Sequence, residues 1–165
     1  MAKIVYPLER VLDIKKKRVS EAEKVVSEKK RELEKEEEKL KQREAERDKV
    51  LNHRKDKLNQ LREELDGGTT SVKILQMKAY LKVVEERLKV EQKKVADQKE
   101  QVKVAEKNLE VAKEQLRLRR QEVDKLGTHR KDWMRDAKKE EQIVEEKEMD
   151  EIGQVLYTIQ QRKKY

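Results

Sequence analysis

The sequence predicts an all-α protein in which two long helices form an antiparallel coiled-coil hairpin, the C-terminal helix being the longer. Three observations predict it. Of 165 residues, 48% are charged and 34% hydrophobic, with one proline and no phenylalanine; this is too little apolar material for a large central core, and it is the composition of long helices. Apolar residues recur at every seventh position, the period of a coiled-coil seam. Two adjacent glycines, Gly67 and Gly68, interrupt that period. High charge with few apolar residues also fits a disordered chain, but here both signs are mixed and the apolar positions are regular.

The first helix is expected over about 8–65. Leu12, Val19, Val26, Leu33 and Leu40 keep a seven-residue step, an eleven-residue step reaches Leu51, and Leu58 and Leu65 follow. The turn is expected at 66–70. Asp66 and Gly67 suit a C-cap, where a positive φ is cheap for glycine, and Thr70 or Ser71 suits the next N-cap. The second helix is expected over about 71–162. Ile74, Leu81, Leu88, Val95, Val102, Leu109, Leu116 and Val123 stand seven apart, with Met77, Val84, Ala105, Ala112 and Leu126 between them.

A chain that reverses within a few residues places facing positions at numbers with a constant sum. A constant of 135 pairs Leu61 with Ile74, Leu58 with Met77, Leu51 with Val84, Leu40 with Val95, Leu33 with Val102, Val26 with Leu109, Val19 with Leu116 and Leu12 with Val123. One register therefore absorbs the eleven-residue step. Residues 1–165 read as a single coiled-coil domain, whose first arm is roughly 85 Å long at 1.5 Å per residue. In this register Ala2 lies opposite Trp133, so the chain from about 135 to 165 has no partner. That overhang, about 45 Å of helix, still carries an apolar stripe: Ala137, Ile143, Val144, Ile152, Val155, Leu156 and Ile159.

Little in the sequence suggests catalysis, and no enzyme activity, cofactor or metal is expected. Cysteine is absent, which excludes disulfides and thiolate metal sites and suits a reducing cytoplasm. His53 and His129 lie about 70 Å apart in the hairpin register. The segment DGGTTSVK lacks the GxxxxGK[ST] spacing of a phosphate loop. No stretch approaches the roughly 18 apolar residues of a membrane span, and MAKIVYPLER has no apolar signal-peptide core.

Three surfaces stand out as candidates for binding partners. Lys15, Lys16, Lys17 and Arg18 fall beside Arg117, Arg119 and Arg120, making a basic belt that either stands solvated or meets an acidic protein surface or a phosphate backbone. Met77 and Tyr80 crowd the turn end, with Tyr80 off the main stripe. The overhang presents Ala137, Val144, Ile152, Leu156 and Ile159, and Gly153 permits a close approach there. A nucleic-acid partner is disfavoured, because no aromatics are interleaved with the basic residues.

Three segments carry a family resemblance: YPLERVLDIKKKRVSEAEK, ERDKVLNHRKDKLNQLREELDGGTTSVKILQMKAYLKVV and HRKDWMRDAKKEEQIVEEKEMDEIGQVL. Together they resemble the YscO/FliJ family of type III secretion systems in its chlamydial branch. The resemblance covers essentially the whole chain and implies a cytoplasmic, non-enzymatic central stalk, peripheral to the secretion apparatus. Its partners would be the hexameric secretion ATPase and the export gate protein, with secretion chaperones or the needle-length regulator as further ones. The alternative is a stand-alone coiled-coil scaffold or escort chaperone. No family motif carries individual binding residues across.

The register can be tested directly. Leu33→Cys with Val102→Cys is expected to crosslink within one chain under mild oxidation, whereas Leu33→Cys with Leu109→Cys, shifted by one heptad, is not. Non-reducing electrophoresis distinguishes the two.

Overall fold

The computed structural model describes residues 3–164. Among these the fold is all-α, consisting of α1 (Glu9–Gly67, 59 residues) and α2 (Ser71–Lys163, 93 residues), with no strand. Helix α1 starts after Pro7. The Glu9 amide bonds the Tyr6 carbonyl and the Leu12 amide bonds the Leu8 carbonyl, so the fixed φ of proline falls just outside the helix, where it does no harm. Glu9 places a carboxylate in the first turn, at the positive end of the helix dipole. The left-handed residue of the turn is Gly68, at φ 73°. Gly67 remains helical, so the positive φ falls one residue later than the sequence reading places it. The Ile74 amide then bonds the Thr70 carbonyl, opening α2.

Contacts divide the chain into two units, Met1–Ala22 with Gln115–Tyr165, and Glu23–Glu114. In the second unit the buried side chains of α2 are Leu81, Val84, Leu88, Glu91, Val95, Val102, Ala105, Leu109 and Ala112. They advance by alternating steps of three and four, the pattern of one helix face. Position 98, which the same alternation requires, holds Gln98. From α1 the unit buries Val26, Val50 and Leu61, with Leu33, Leu40, Leu51 and Leu58 half-buried. Val50, Val84 and Leu88 pack as one cluster with Leu51 against it. The eleven-residue step thus lands on a pair, and Val50 is the more deeply buried member.

Polar residues occupy the seam between Leu40 and Val50. Arg43, Glu44 and Arg47 are half-buried on α1, and on α2 Glu91 is only 9% exposed. Its Oε1 accepts a hydrogen bond from Lys94 at 3.2 Å. Gln98 Nε2 donates to the Glu36 carbonyl and to its carboxylate. A seam with polar layers loses stability but gains a fixed register, since a shifted pairing would strand these groups against apolar side chains.

The first unit is anchored by an aromatic cluster. Tyr6, at 3% exposed, sits 5.5 Å from Trp133 in an edge-on arrangement and 5.7 Å from the His129 ring, and its hydroxyl is hydrogen-bonded to His129 Nδ1. Leu12 and Leu116 are the other buried apolar side chains among this unit's described residues. Ala2, expected opposite Trp133, lies outside the described residues, and Tyr6 is the residue found beside that indole.

Leu88→Ala is expected to destabilise the protein by about 2 kcal/mol, the low end for deleting a buried leucine, because a thin seam collapses around the gap more easily than a deep core. Val90→Ala, at an exposed position two residues on, is expected to change little in dilute solution. Urea titrations followed by circular dichroism at 222 nm check both.

Candidate partner-binding surfaces

The basic belt lies in the first unit. Its register partner is an acid that the sequence reading passes over, Glu122. Lys15 Nζ reaches Glu122 Oε2 at 3.1 Å and Arg119 Nη1 reaches the same oxygen at 3.5 Å. Hydrogen bonding from Lys15, then the charges of Lys15 and Arg119, hold the Glu122 carboxyl below the ordinary glutamate range. Arg117 and Arg120 are engaged by neighbours as well. Lys16, Lys17 and Arg18 are exposed. The structure thus brings Lys15 and Arg119 together on one carboxylate, so part of the like-charge cost expected of the belt is met within the chain. Along the same unit Arg130 Nε donates to Glu9 Oε2 at 2.8 Å.

The overhang belongs to this unit too. Ala137 is half-buried, while Val144, Ile152, Leu156 and Ile159 are exposed, as are Ile143 and Val155. Ile152, Val155 and Leu156 line a shallow concavity rimmed by Glu148 and Glu151. Helix α2 runs unbroken through Gly153, and a Cβ built there would meet nothing within 4 Å.

In the second unit Met77 is half-buried and Tyr80 exposed, both lining a concavity with Lys57, Gln60, Glu64 and Lys73. Tyr80 is not idle. Its hydroxyl is hydrogen-bonded to His53 Nε2 at 2.8 Å, the two rings stand edge to face at 5.9 Å, and Lys57 Nζ lies 5.6 Å over the phenol ring. A cation over an aromatic face at this distance is attractive. The Lys73 ammonium donates to Glu64 at 2.9 Å and thereby lowers that carboxyl's pKa.

Each histidine in the chain therefore bonds a tyrosine, His129 to Tyr6 in one unit and His53 to Tyr80 in the other. Sequence reasoning set the histidines aside as too distant to share a site and missed that each falls near a tyrosine in the same register. Among the described residues, no group of three or more His, Cys, Asp or Glu side chains is arranged to hold a metal, and no helix is long and apolar enough to cross a membrane.

A family model described as YscO-like protein matches residues 3–163. The chain belongs to the YscO-like family. This is a type III secretion family of structural or adaptor proteins. Among solved structures, the chain is similar to CT670 of Chlamydia trachomatis, described as a YscO homolog; identity is 55%, 97% of this chain and 99% of that one are covered, and the TM-score is 0.93. It is also similar to a chain in the CdsV and CdsO protein complex of Chlamydia pneumoniae, at 57% identity over 50% of this chain and 96% of that one, with a TM-score of 0.49. None of the curated proteins compared with the chain matches it.

The depressed carboxyls set a pH dependence. Glu36, held low first by Gln98 and then by Lys39, behaves like Glu64 and Glu122. All three bind their protons less readily folded than unfolded, so the stability they contribute is complete above the ordinary value of 4.5 and is lost as the pH falls through their depressed values. The midpoint of thermal unfolding should be flat from about pH 7 to 5 and fall below about pH 4.5. Glu122→Gln should shallow that fall by a small amount, because its pairs are partly solvated. Melting curves at half-unit pH steps check the profile.

Proposed function

We propose that this YscO-like chain is an antiparallel coiled-coil hairpin that serves as the central stalk of a type III secretion system, cytoplasmic and peripheral to the apparatus. In this reading its C-terminal overhang engages the hexameric secretion ATPase and its turn end approaches the export gate. The hairpin part is supported by the order of contacts within each unit: Tyr6 meets Trp133, Glu9 meets Arg130 and Lys15 meets Glu122 in one, and Glu36 meets Gln98, Arg54 meets Glu85 and Glu64 meets Lys73 in the other. Numbers rise on α1 as they fall on α2.

The observation that carries the stalk reading is the exposed apolar stripe on α2 beyond Trp133. Ile152, Val155, Leu156 and Ile159 stand more than two-fifths exposed. These four side chains fall on one helix face, and an apolar stripe left in water calls for a protein surface to cover it. A helix of medium-sized aliphatics, with the glycine position open, suits a bore in which contacts have to be similar in several orientations. Lys16, Lys17 and Arg18 stand exposed and add an acidic-facing contact at the same end.

Truncation after Met134 separates the two parts of the proposal. The shortened chain should keep its helical melt and lose stimulation of ATP hydrolysis by the cognate hexamer. Full stimulation by the shortened chain would remove the overhang from the ATPase and leave a scaffold or escort role for the protein.

A further inference from the structure

The second unit carries a second heptad row that the seam does not use. Val83, Val90, Val104 and Val111 stand 60%, 53%, 53% and 56% exposed. They lie two residues after the buried seam positions Leu81, Leu88, Val102 and Leu109, with Asp97 in the same place after Val95. Five residues after Leu81, Leu88, Val95 and Val102 stand Glu86, Lys93, Glu100 and Lys107, all exposed. At 100° per residue these two rows are centred about 160° around the helix from the seam, facing away from α1. Valine is a weaker helix former than the Ala, Glu, Lys and Gln at other exposed positions of α2, so four exposed valines in heptad phase favour neither solubility nor helix formation. A heptad row on the outer face fits another helix lying alongside it.

The charges identify which helix. Along the flanking row the sign alternates every seven residues: Glu86, Lys93, Glu100, Lys107. A second copy laid parallel would set each charge against its own like. Laid antiparallel about a two-fold axis near Asp97, it places Val83 against Val111 and Val90 against Val104, with Glu86 beside Lys107 and Lys93 beside Glu100, each twice. Asp97, on the axis, meets its own symmetry mate, a single like-charge contact that weakens the pairing, with Lys93 one turn away. Self-complementarity of this kind is the property of an isologous interface. We propose that the outer face of α2 between Val83 and Val111 is a self-association surface on which two copies pair antiparallel. The interface is small, so the dimer is weak and dependent on concentration. This pairing does not involve the overhang or depend on the stalk reading.

Sedimentation velocity of the full chain over a concentration series at low salt tests it. The wild type should show a monomer–dimer equilibrium. Val90→Asp with Val104→Asp should abolish the dimer while the circular dichroism spectrum stays unchanged, and Asp97→Asn should shift the midpoint to lower concentration. Lys93→Glu with Lys107→Glu makes the flanking row wholly acidic, and Glu86→Lys with Glu100→Lys makes it wholly basic; each alone should weaken pairing roughly tenfold or more, and an equimolar mixture of the two should restore it. A wild type that stays monomeric up to about millimolar concentration, where even weak association registers, overturns the proposal. So does a mixture that fails to pair, or a dimer that survives these changes and disappears on truncation after Met134.

Discussion

Everything in this molecule depends on one apolar stripe per helix. Two helices in contact bury their apolar side chains in one seam, with polar contacts such as Lys15–Glu122 and His53–Tyr80 along its edges; among the described residues no third layer buries a residue that misses its place. Half the chain is charged because the rest of each helix circumference faces water. The seam is also why buried residues are few and spaced at three and four, and why a single side chain such as Leu88 matters more than its count of neighbours would imply. The polar residues admitted to it are Glu91 and Gln98 on α2 with Arg43, Glu44 and Arg47 half-buried on α1; Gln98 is satisfied by Glu36 and Glu91 Oε1 by Lys94, while Glu91 Oε2 is buried without a hydrogen-bond partner, a cost in stability. They give the seam a layer whose position along the helix is distinctive, which a run of leucines and valines alone lacks.

The all-α class and the two helices were legible because the seven-residue period and the glycine pair are local signals. The alternating steps of three and four from Leu81 to Leu116 follow from periodicity alone. Other features lay beyond that kind of reading. Whether Val50 or Leu51 takes the seam depends on how the helix accommodates an eleven-residue step, which is settled by the facing Val84 and Leu88. Tyr80 read as a candidate partner contact because it falls off the stripe, and its bond to His53 depends on a residue 27 positions away. Glu122 was hidden for the same reason: counting cations along the chain misses an acid that the neighbouring helix brings to them.

The candidate surfaces differ in how far packing already accounts for them. At the belt, Glu122 engages Lys15 and Arg119, so what remains for a partner is the exposed trio Lys16, Lys17 and Arg18. At the turn end, Tyr80 is already engaged by His53 and Lys57, although its ring remains exposed. Along the overhang the apolar positions from Val144 to Ile159 are exposed. Family membership gives these surfaces a setting in type III secretion, while the choice among them rests on chemistry that only the assembled side chains display.

The turn at Gly68 has a consequence for the order in which the chain comes together. Cross-helix contacts begin nine residues apart at Glu64 and Lys73 and reach 123 residues apart at Tyr6 and His129, with Trp133 packed on the same tyrosine. Closing a short loop costs less chain entropy than closing a long one, and each layer formed shortens the loop left for the next. Folding is therefore expected to close first beside the glycines and to proceed outward, with the Tyr6 cluster closing last. During synthesis α1 emerges complete before any of its partner does, so a 59-residue helix with a bare seam waits for the ribosome to deliver α2. Its dense charge, unhelpful to the finished core, is what keeps that half-made molecule apart from its neighbours in the meantime.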